Sequence, residues 1–146
     1  MDILAKSPND RVTVDYNGIE ITFKPATTQE SIDLESVVKS LQDASKSSMD
    51  KVQGMIEFIR TVVVDIRGIK RLDGSEWAPK IVDGKLSSAS VEKIFGIGGE
   101  NIVNILLAST QVFQSIPVVG QPVLHPQTGM PLKGVTVKKI QVGEEE

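Results

Sequence analysis

The stretch RVTVDYNGIEITF, residues 11–23, constrains the fold more than any other part of the chain. Asn17-Gly18 is a strong signal for a two-residue type I′ turn, because both central positions of that turn need positive φ. The turn pairs Tyr16 with Ile19, and the alternation of side chains along the strands then collects apolar residues on one face. These are Val12, Val14, Tyr16, Ile19, Ile21 and Phe23. Since a lone hairpin is only marginally stable, further elements must cover this face.

Two amphipathic helices are predicted directly after the hairpin. Pro25 ends the second strand, and Thr27-x-x-Glu30 is a capping-box pattern that opens the first helix. Its apolar residues recur at helical spacing at Leu34, Val37, Val38, Leu41 and Ala44. The second helix has the clearest periodicity, with a core-facing stripe at Val52, Met55, Ile56, Ile59, Val62, Val63 and Ile66. We expect this helix to end at Gly68.

The middle of the chain predicts turns followed by two more helices. Asp73-Gly74 and Asp83-Gly84 mark turns in an irregular or hairpin-like connector. The sequence LSSASVEKIFG predicts a short helix that Gly96 terminates, and a last helix is expected from about Glu100. Its apolar residues cover more than half of a helical wheel, so it lies either in the core, which we favour, or under a partner.

The character of the chain changes after Ile116. Four prolines predict an extended segment that crosses a surface: Pro117, Pro122, Pro126 and Pro131. In the strand that follows, Val135 and Val137 are at odd positions and Ile140 and Val142 at even ones, so a regular strand would place the two pairs on opposite faces. We therefore expect a β-bulge at Lys138-Lys139. This strand could pair with the hairpin of its own chain or of a neighbour.

The sequence therefore predicts an α+β fold. An N-terminal β-hairpin packs on a small bundle of about four helices, followed by a proline-rich extended arm and a C-terminal strand. We divide the chain into an α+β core domain, residues 1–116, and the arm with its strand, residues 117–146.

Composition excludes several classes of protein. The 146 residues are 40% hydrophobic, which is enough for a core, and the net charge of -3 does not favour a nucleic-acid partner. No cysteine is present, so disulfides and Cys-based zinc sites are excluded. Neither a secretory signal nor an apolar run long enough to cross a membrane is visible. We expect a soluble protein of the cytoplasm.

No pattern indicates catalysis, a metal or a cofactor. The glycines of FGIGGENIV could aim N–H groups at a phosphate, but Asn101 stands where a dinucleotide motif needs its third glycine. The segment is better explained as a helix–turn–helix joint. His125 is the only histidine, and no second histidine or cysteine could complete a site with it. We expect no enzyme.

Several segments together resemble a known family. The strand Ile19, Ile21, Phe23, the Lys24-Pro25 junction and the cap at Thr27 or Thr28 with Glu30 are similar to the start of tail assembly chaperones of tailed bacteriophages and related small baseplate-hub proteins. The stretches MIEFIRTVVVDIRGI and LSSASVEKIFGIGGENIVNILLAS resemble their later helices. The resemblance covers residues 18–109, and nothing after Ile116 matches it.

The resemblance implies a non-catalytic role in phage tail assembly. Such chaperones bind the tape-measure protein in the host cytoplasm, whereas a hub or baseplate subunit would remain in the virion. Both roles imply apolar contact surfaces and homo-oligomers, with no nucleic acid and no membrane. Our candidate partner-binding residues are Met49, Phe58, Ile105, Phe113, Val135 and Val137. For Met49 and Phe58 the alternative is that they widen the core-facing stripe.

Overall fold

The computed structural model describes residues 9–45, 47–108, 112–113, 116–125 and 128–143. The elements are β1 (Arg11–Tyr16), β2 (Ile19–Phe23), α1 (Thr28–Gln42), α2 (Ser48–Val62), β3 (Val63–Arg67), β4 (Ile81–Val82), β5 (Lys85–Leu86), α3 (Ser88–Leu106), β6 (Pro122–Leu124) and β7 (Pro131–Gln141). One antiparallel five-stranded sheet has the order β3-β2-β1-β7-β6, and β4 pairs with β5. The predicted α+β class is confirmed.

The N-terminal hairpin has the predicted register. Tyr16 pairs with Ile19 across a turn in which Asn17 has φ 51° and Gly18 has φ 90°, as a type I′ turn requires. Buried residues on the predicted apolar face are Val12, Val14, Ile21 and Phe23. On the opposite face the hydroxyls of Thr13 and Thr22 share a hydrogen bond of 2.9 Å. The hairpin therefore supplies one wall of the core.

The first helix begins at the predicted capping box. The backbone N–H of Glu30 donates to Thr27 Oγ1 at 3.2 Å, and the N–H of Thr27 donates to Glu30 Oε1 at 2.9 Å. In α1, Val37 packs against the core, whereas Ala44 lies beyond the helix and is exposed. The side chains of the other predicted stripe residues lie outside the described part of the chain: Leu34, Val38 and Leu41.

The prediction that the second helix continues to Gly68 is wrong. Helix α2 ends at Val62, and Val63–Arg67 forms strand β3, which pairs with β2. Val63 and Ile66 are buried, as the stripe predicted, but they belong to a strand and not to the helix. The β-branched run at Val62, Val63 and Val64 suits a strand, and the open edge of β2 supplies the hydrogen-bonding partner.

The predicted helix–turn–helix joint is also wrong. Helix α3 runs from Ser88 to Leu106 without interruption, so Gly96 does not terminate it and no new helix starts near Glu100. A glycine inside a helix costs only about 1 kcal/mol relative to alanine, which packing readily offsets. The packing is visible in buried residues that share one helical stripe on both sides of the glycines: Val91, Ile94, Ile102 and Ile105. This segment therefore presents no phosphate-binding loop.

The segment after residue 116 joins the sheet. Strand β7 pairs with β1 of the same chain, and the register shifts so that Thr13 pairs with Lys139 while Val14 pairs with Val137. The shift leaves Lys138 as the extra residue, which confirms the predicted bulge. The core includes Val123, Val135 and Val137 from β6 and β7. The domain boundary at 116/117 stays a prediction.

The connector after β3 contains the predicted turns. Asp83 and Gly84, with φ 53° and 76°, join β4 to β5. Arg60 Nε of α2 donates to the carbonyl of Leu86 at 2.7 Å, which fastens this small hairpin to the core. No helix in the described part of the chain is long and apolar enough to cross a membrane.

Candidate functional site

A cleft of about 450 Å³ lies where the chain leaves β3. Its apolar lining comes from Ile19 at the start of β2 and from Ile69, Leu72 and Trp77 of the connector. Its basic lining comes from Lys70, Arg71 and Lys93, and Gly68 completes the wall. We call this site the Trp77 cleft. Its size falls within the range of pockets that hold small ligands or anchoring side chains.

The loop of residues 69–77 shapes one side of the Trp77 cleft. The N–H of Trp77 donates to the carbonyl of Ile69 at 2.8 Å, and the N–H of Arg71 donates to that of Ser75, also at 2.8 Å. At the tip, the N–H of Gly74 donates to the carbonyl of Arg71 at 3.0 Å. These bonds close the loop on itself, with the predicted Asp73-Gly74 turn at its end, and hold Leu72 out in solvent.

Gly68 fixes the loop against the sheet. Its φ of +92° is in the region that disfavours residues with a side chain, and a Cβ at this position would collide with the carbonyl oxygen of Gly18. The loop can therefore leave β3 directly beneath the β1–β2 turn only because residue 68 is glycine.

Trp77 forms the floor of the cleft. Its side chain is only 7% exposed, and Lys93 Nζ lies 5.8 Å from the centroid of its ring. This distance is near the outer limit for a cation–π interaction. Helix α3 thus contributes a positive charge over the ring of Trp77.

The positive charges at the cleft come from Lys70, Arg71 and Lys93, and the nearby Arg67 is not one of them. Arg67 belongs to β3, where its Nε donates to Asp65 Oδ2 at 3.0 Å, and this hydrogen bond raises the pKa of Arg67. In the part of the chain that the structure describes, Lys70, Arg71 and Lys93 form no ion pair. The loop's carboxylates bond elsewhere: Asp73 Oδ1 accepts from the N–H of Ser75, and Glu76 Oε1 accepts from that of Gly68 at 3.3 Å.

Sequence reasoning missed this cleft because its parts are far apart in the chain. Lys93 is remote from Arg71, and only the path of α3 brings the two to one rim. The sequence feature that could have indicated the cleft is its single tryptophan, Trp77. It follows the Asp73-Gly74 turn, and Lys70 and Arg71 precede that turn. A large aromatic residue in a polar loop often has a surface role.

The predicted partner-binding residues are mostly in the core of the chain. Those that are buried are Phe58, Ile105, Phe113, Val135 and Val137, and Phe58 also lines a smaller cleft of about 230 Å³ between α1 and α2. Met49, in the first turn of α2, is 67% exposed. Of this set, Met49 is therefore the residue that could meet a partner without rearrangement of the core, and the role of the set stays a prediction.

A second group of exposed apolar residues flanks β6, which is an edge strand of the sheet. Ile116, Val118 and Val119 precede the strand and Met130 follows it, each with more than half of its side chain in solvent. A turn holds Val118 in place, since its N–H donates to Gln121 Oε1 at 2.8 Å. We call β6 with these four residues the β6 edge surface. Exposed apolar groups beside an edge strand suit association with another chain.

The described residues contain no group of histidine and carboxylate side chains that could hold a metal ion. His125 Nδ1 accepts a hydrogen bond of 3.2 Å from the N–H of Thr128, a local contact within the turn between β6 and β7. No protein-family model, curated protein or solved structure matches this chain. Function must therefore be argued from the geometry and the sequence.

Proposed function

We propose that the chain is a non-enzymatic phage tail-morphogenesis protein that acts as an assembly chaperone for the tape-measure protein. The observation that carries this proposal is the β6 edge surface, where exposed apolar residues flank the last strand in the order of the sheet. A chaperone of a long helical protein needs apolar contact area and no catalytic group. The hairpin and the capped helix, on which the family resemblance partly depends, follow each other directly in the chain.

The proposal assigns the apolar residues of the β6 edge surface to contact with the tape-measure protein. Val118 and Val119 are both 60% exposed, so replacing them leaves the core unchanged. Surface substitutions of this kind typically change stability by less than about 0.5 kcal/mol. Loss of function in such variants would therefore report lost contact and not unfolding.

The test is co-expression with the tape-measure protein of the same phage. We expect the wild-type chain to keep the tape-measure protein in the soluble fraction and to co-purify with it. The double variant Val118→Ser, Val119→Ser should lose both effects. Val142→Ser is the matched control, since Val142 is exposed but lies beyond the far end of β7. Aggregation of the tape-measure protein with the wild-type chain present would refute the proposal.

The second candidate is a structural hub or baseplate subunit that is retained in the virion. It is favoured by the position of β6 at an edge of the sheet among the described strands, because an edge strand can pair with a strand of a neighbouring subunit and thereby build a homo-oligomer. Quantitative mass spectrometry of purified particles and infected-cell lysate separates the two roles. A chaperone is abundant in the host cytoplasm and absent from particles, whereas a subunit occurs in particles at a fixed copy number.

A further inference from the structure

The Trp77 cleft combines an apolar floor with a cationic rim. Trp77, with 7% of its surface exposed, lies at its floor, and its rim carries Lys70, Arg71 and Lys93 without an ion pair in the described residues. Leu72 adds a fully exposed apolar side chain to the same rim. A rim of cations around an apolar floor is complementary to an anionic group that carries an apolar part.

We propose that the Trp77 cleft binds a short acidic peptide segment of a partner protein, with one apolar side chain of that segment inserted against Trp77. The carboxylates of the segment pair with the three cations of the rim, and Leu72 covers the inserted side chain. Charge complementarity and the apolar floor both favour such a segment. Binding at the Trp77 cleft goes beyond the proposed function, because it does not depend on the role of the β6 edge surface.

The carboxylates near the cleft do not already satisfy its cations. Asp73 accepts from both the N–H and the hydroxyl of Ser75, and these hydrogen bonds lower the pKa of Asp73. Glu76 accepts from the backbone of Gly68. Glu92 precedes Lys93 on α3, but adjacent helical residues do not face each other. Among the described residues, the lining of the cleft therefore carries three cations and no carboxylate, in a chain whose net charge is negative.

The geometry favours a peptide over a small polar anion. Sites for phosphate or a lone carboxylate usually offer free backbone N–H groups, as at nests and glycine loops. In this loop the N–H groups of Arg71, Gly74 and Trp77 are all bonded within the loop. Recognition must come from long cationic side chains spaced around the rim, which suits carboxylates spaced along an extended peptide.

The test uses a fluorescently labelled synthetic peptide of alternating glutamate and leucine, with anisotropy as the readout. A second peptide has serine in place of leucine, and a third has lysine in place of glutamate. Emission of Trp77, the single tryptophan, reports whether binding occurs at the cleft. The protein variants are Lys70→Gln with Arg71→Gln, and separately Leu72→Ser. The matched control is Lys133→Gln with Lys139→Gln, which removes the same charge from exposed positions of β7.

We expect the glutamate–leucine peptide to bind and to shift the emission of Trp77. Serine in place of leucine should weaken binding about ten-fold or more, because the buried apolar contact is lost. Each cation removed from the rim should weaken binding by up to about five-fold, and salt near 0.5 M should weaken it further. The β7 control should bind as the wild-type chain does.

Four outcomes would overturn the proposal. The first is the absence of binding, and the second is equal binding of the serine peptide, which would indicate charge attraction alone. The third is equal weakening by the β7 control. The fourth is binding of dodecanoate at the cleft without binding of the peptide, which would assign the site to a small amphipathic anion. Thermal unfolding of each variant, followed by circular dichroism, confirms that the chain remains folded.

Discussion

Gly68 permits the strongest quantitative test of the fold around the Trp77 cleft. Substitution by alanine has two costs: the residue must hold φ +92°, and its Cβ must approach the carbonyl of Gly18. A left-handed backbone costs a residue with a Cβ about 1–2 kcal/mol. Overpacking against a rigid neighbour adds about 1–3 kcal/mol, and here the neighbour is backbone that cannot rotate away. We expect Gly68→Ala to lower the free energy of unfolding by about 2–5 kcal/mol.

Gly74 provides the matched control in the same loop. Its φ is +85°, but a Cβ there would meet no atom within 4 Å. Gly74→Ala therefore carries only the backbone cost, about 1–2 kcal/mol. Urea denaturation followed by Trp77 emission measures both variants with one probe. Equal destabilisation of the two would refute the close approach of Gly68 to the β1–β2 turn.

Three further predictions follow from the cap, its carboxylate and the last two strands. Thr27→Ala removes the acceptor for the N–H of Glu30 and should lower the free energy of unfolding by about 1 kcal/mol, measured by urea denaturation. Partial burial raises the pKa of Glu30, but hydrogen bonds from the backbone of Thr27 and from Lys24 together lower it below its ordinary value of 4.5. The stabilisation by Glu30 is therefore present at neutral pH and lost as pH falls through the lowered pKa. The difference in stability between the wild-type chain and Glu30→Gln should shrink in acid, and a difference that persists would contradict this reasoning. Deleting residues 117–146 removes three buried valines worth about 1.5–3 kcal/mol each, which approaches the whole stability of a typical domain. Circular dichroism of the truncated chain should show an unfolded protein, and a folded one would support an independent domain of residues 1–116.

The features that sequence reasoning predicted correctly are local ones. The type I′ turn at Asn17-Gly18 and the capping box at Thr27 and Glu30 each depend on residues within a few positions of one another. The bulge at Lys138 was visible because a change of parity within one strand must be absorbed there. In each case backbone preferences near the residue decide the structure, so the sequence alone is informative.

The errors arose where distant contacts decide between local alternatives. Val63 and Ile66 fit the helical stripe of α2 as well as a strand, and the edge of β2 decides for the strand. The glycines after Phe95 suggest a joint, but α3 is uninterrupted, with buried residues on both sides of them. Local sequence preferences do not predict either outcome, because both depend on packing partners elsewhere in the chain.

The Trp77 cleft and the β6 edge surface lie at opposite edges of the five-stranded sheet. The Trp77 cleft follows β3 at one edge of the sheet, and β6 forms the other edge. With strands about 4.8 Å apart, four intervals separate the two edges by roughly 19 Å. Sites this far apart with no shared residues usually behave additively.

Separation of the two surfaces has a consequence for assembly. One chain could hold an acidic segment in the cleft while β6 contacts a second protein, and neither event would block the other. The rim variant Lys70→Gln with Arg71→Gln should therefore leave the effect on tape-measure solubility unchanged. Likewise, Val118→Ser with Val119→Ser should leave the affinity for the glutamate–leucine peptide unchanged. If either pair altered the other surface's readout, the two surfaces would have to be coupled through the sheet, most directly through β1, which pairs with both β2 and β7.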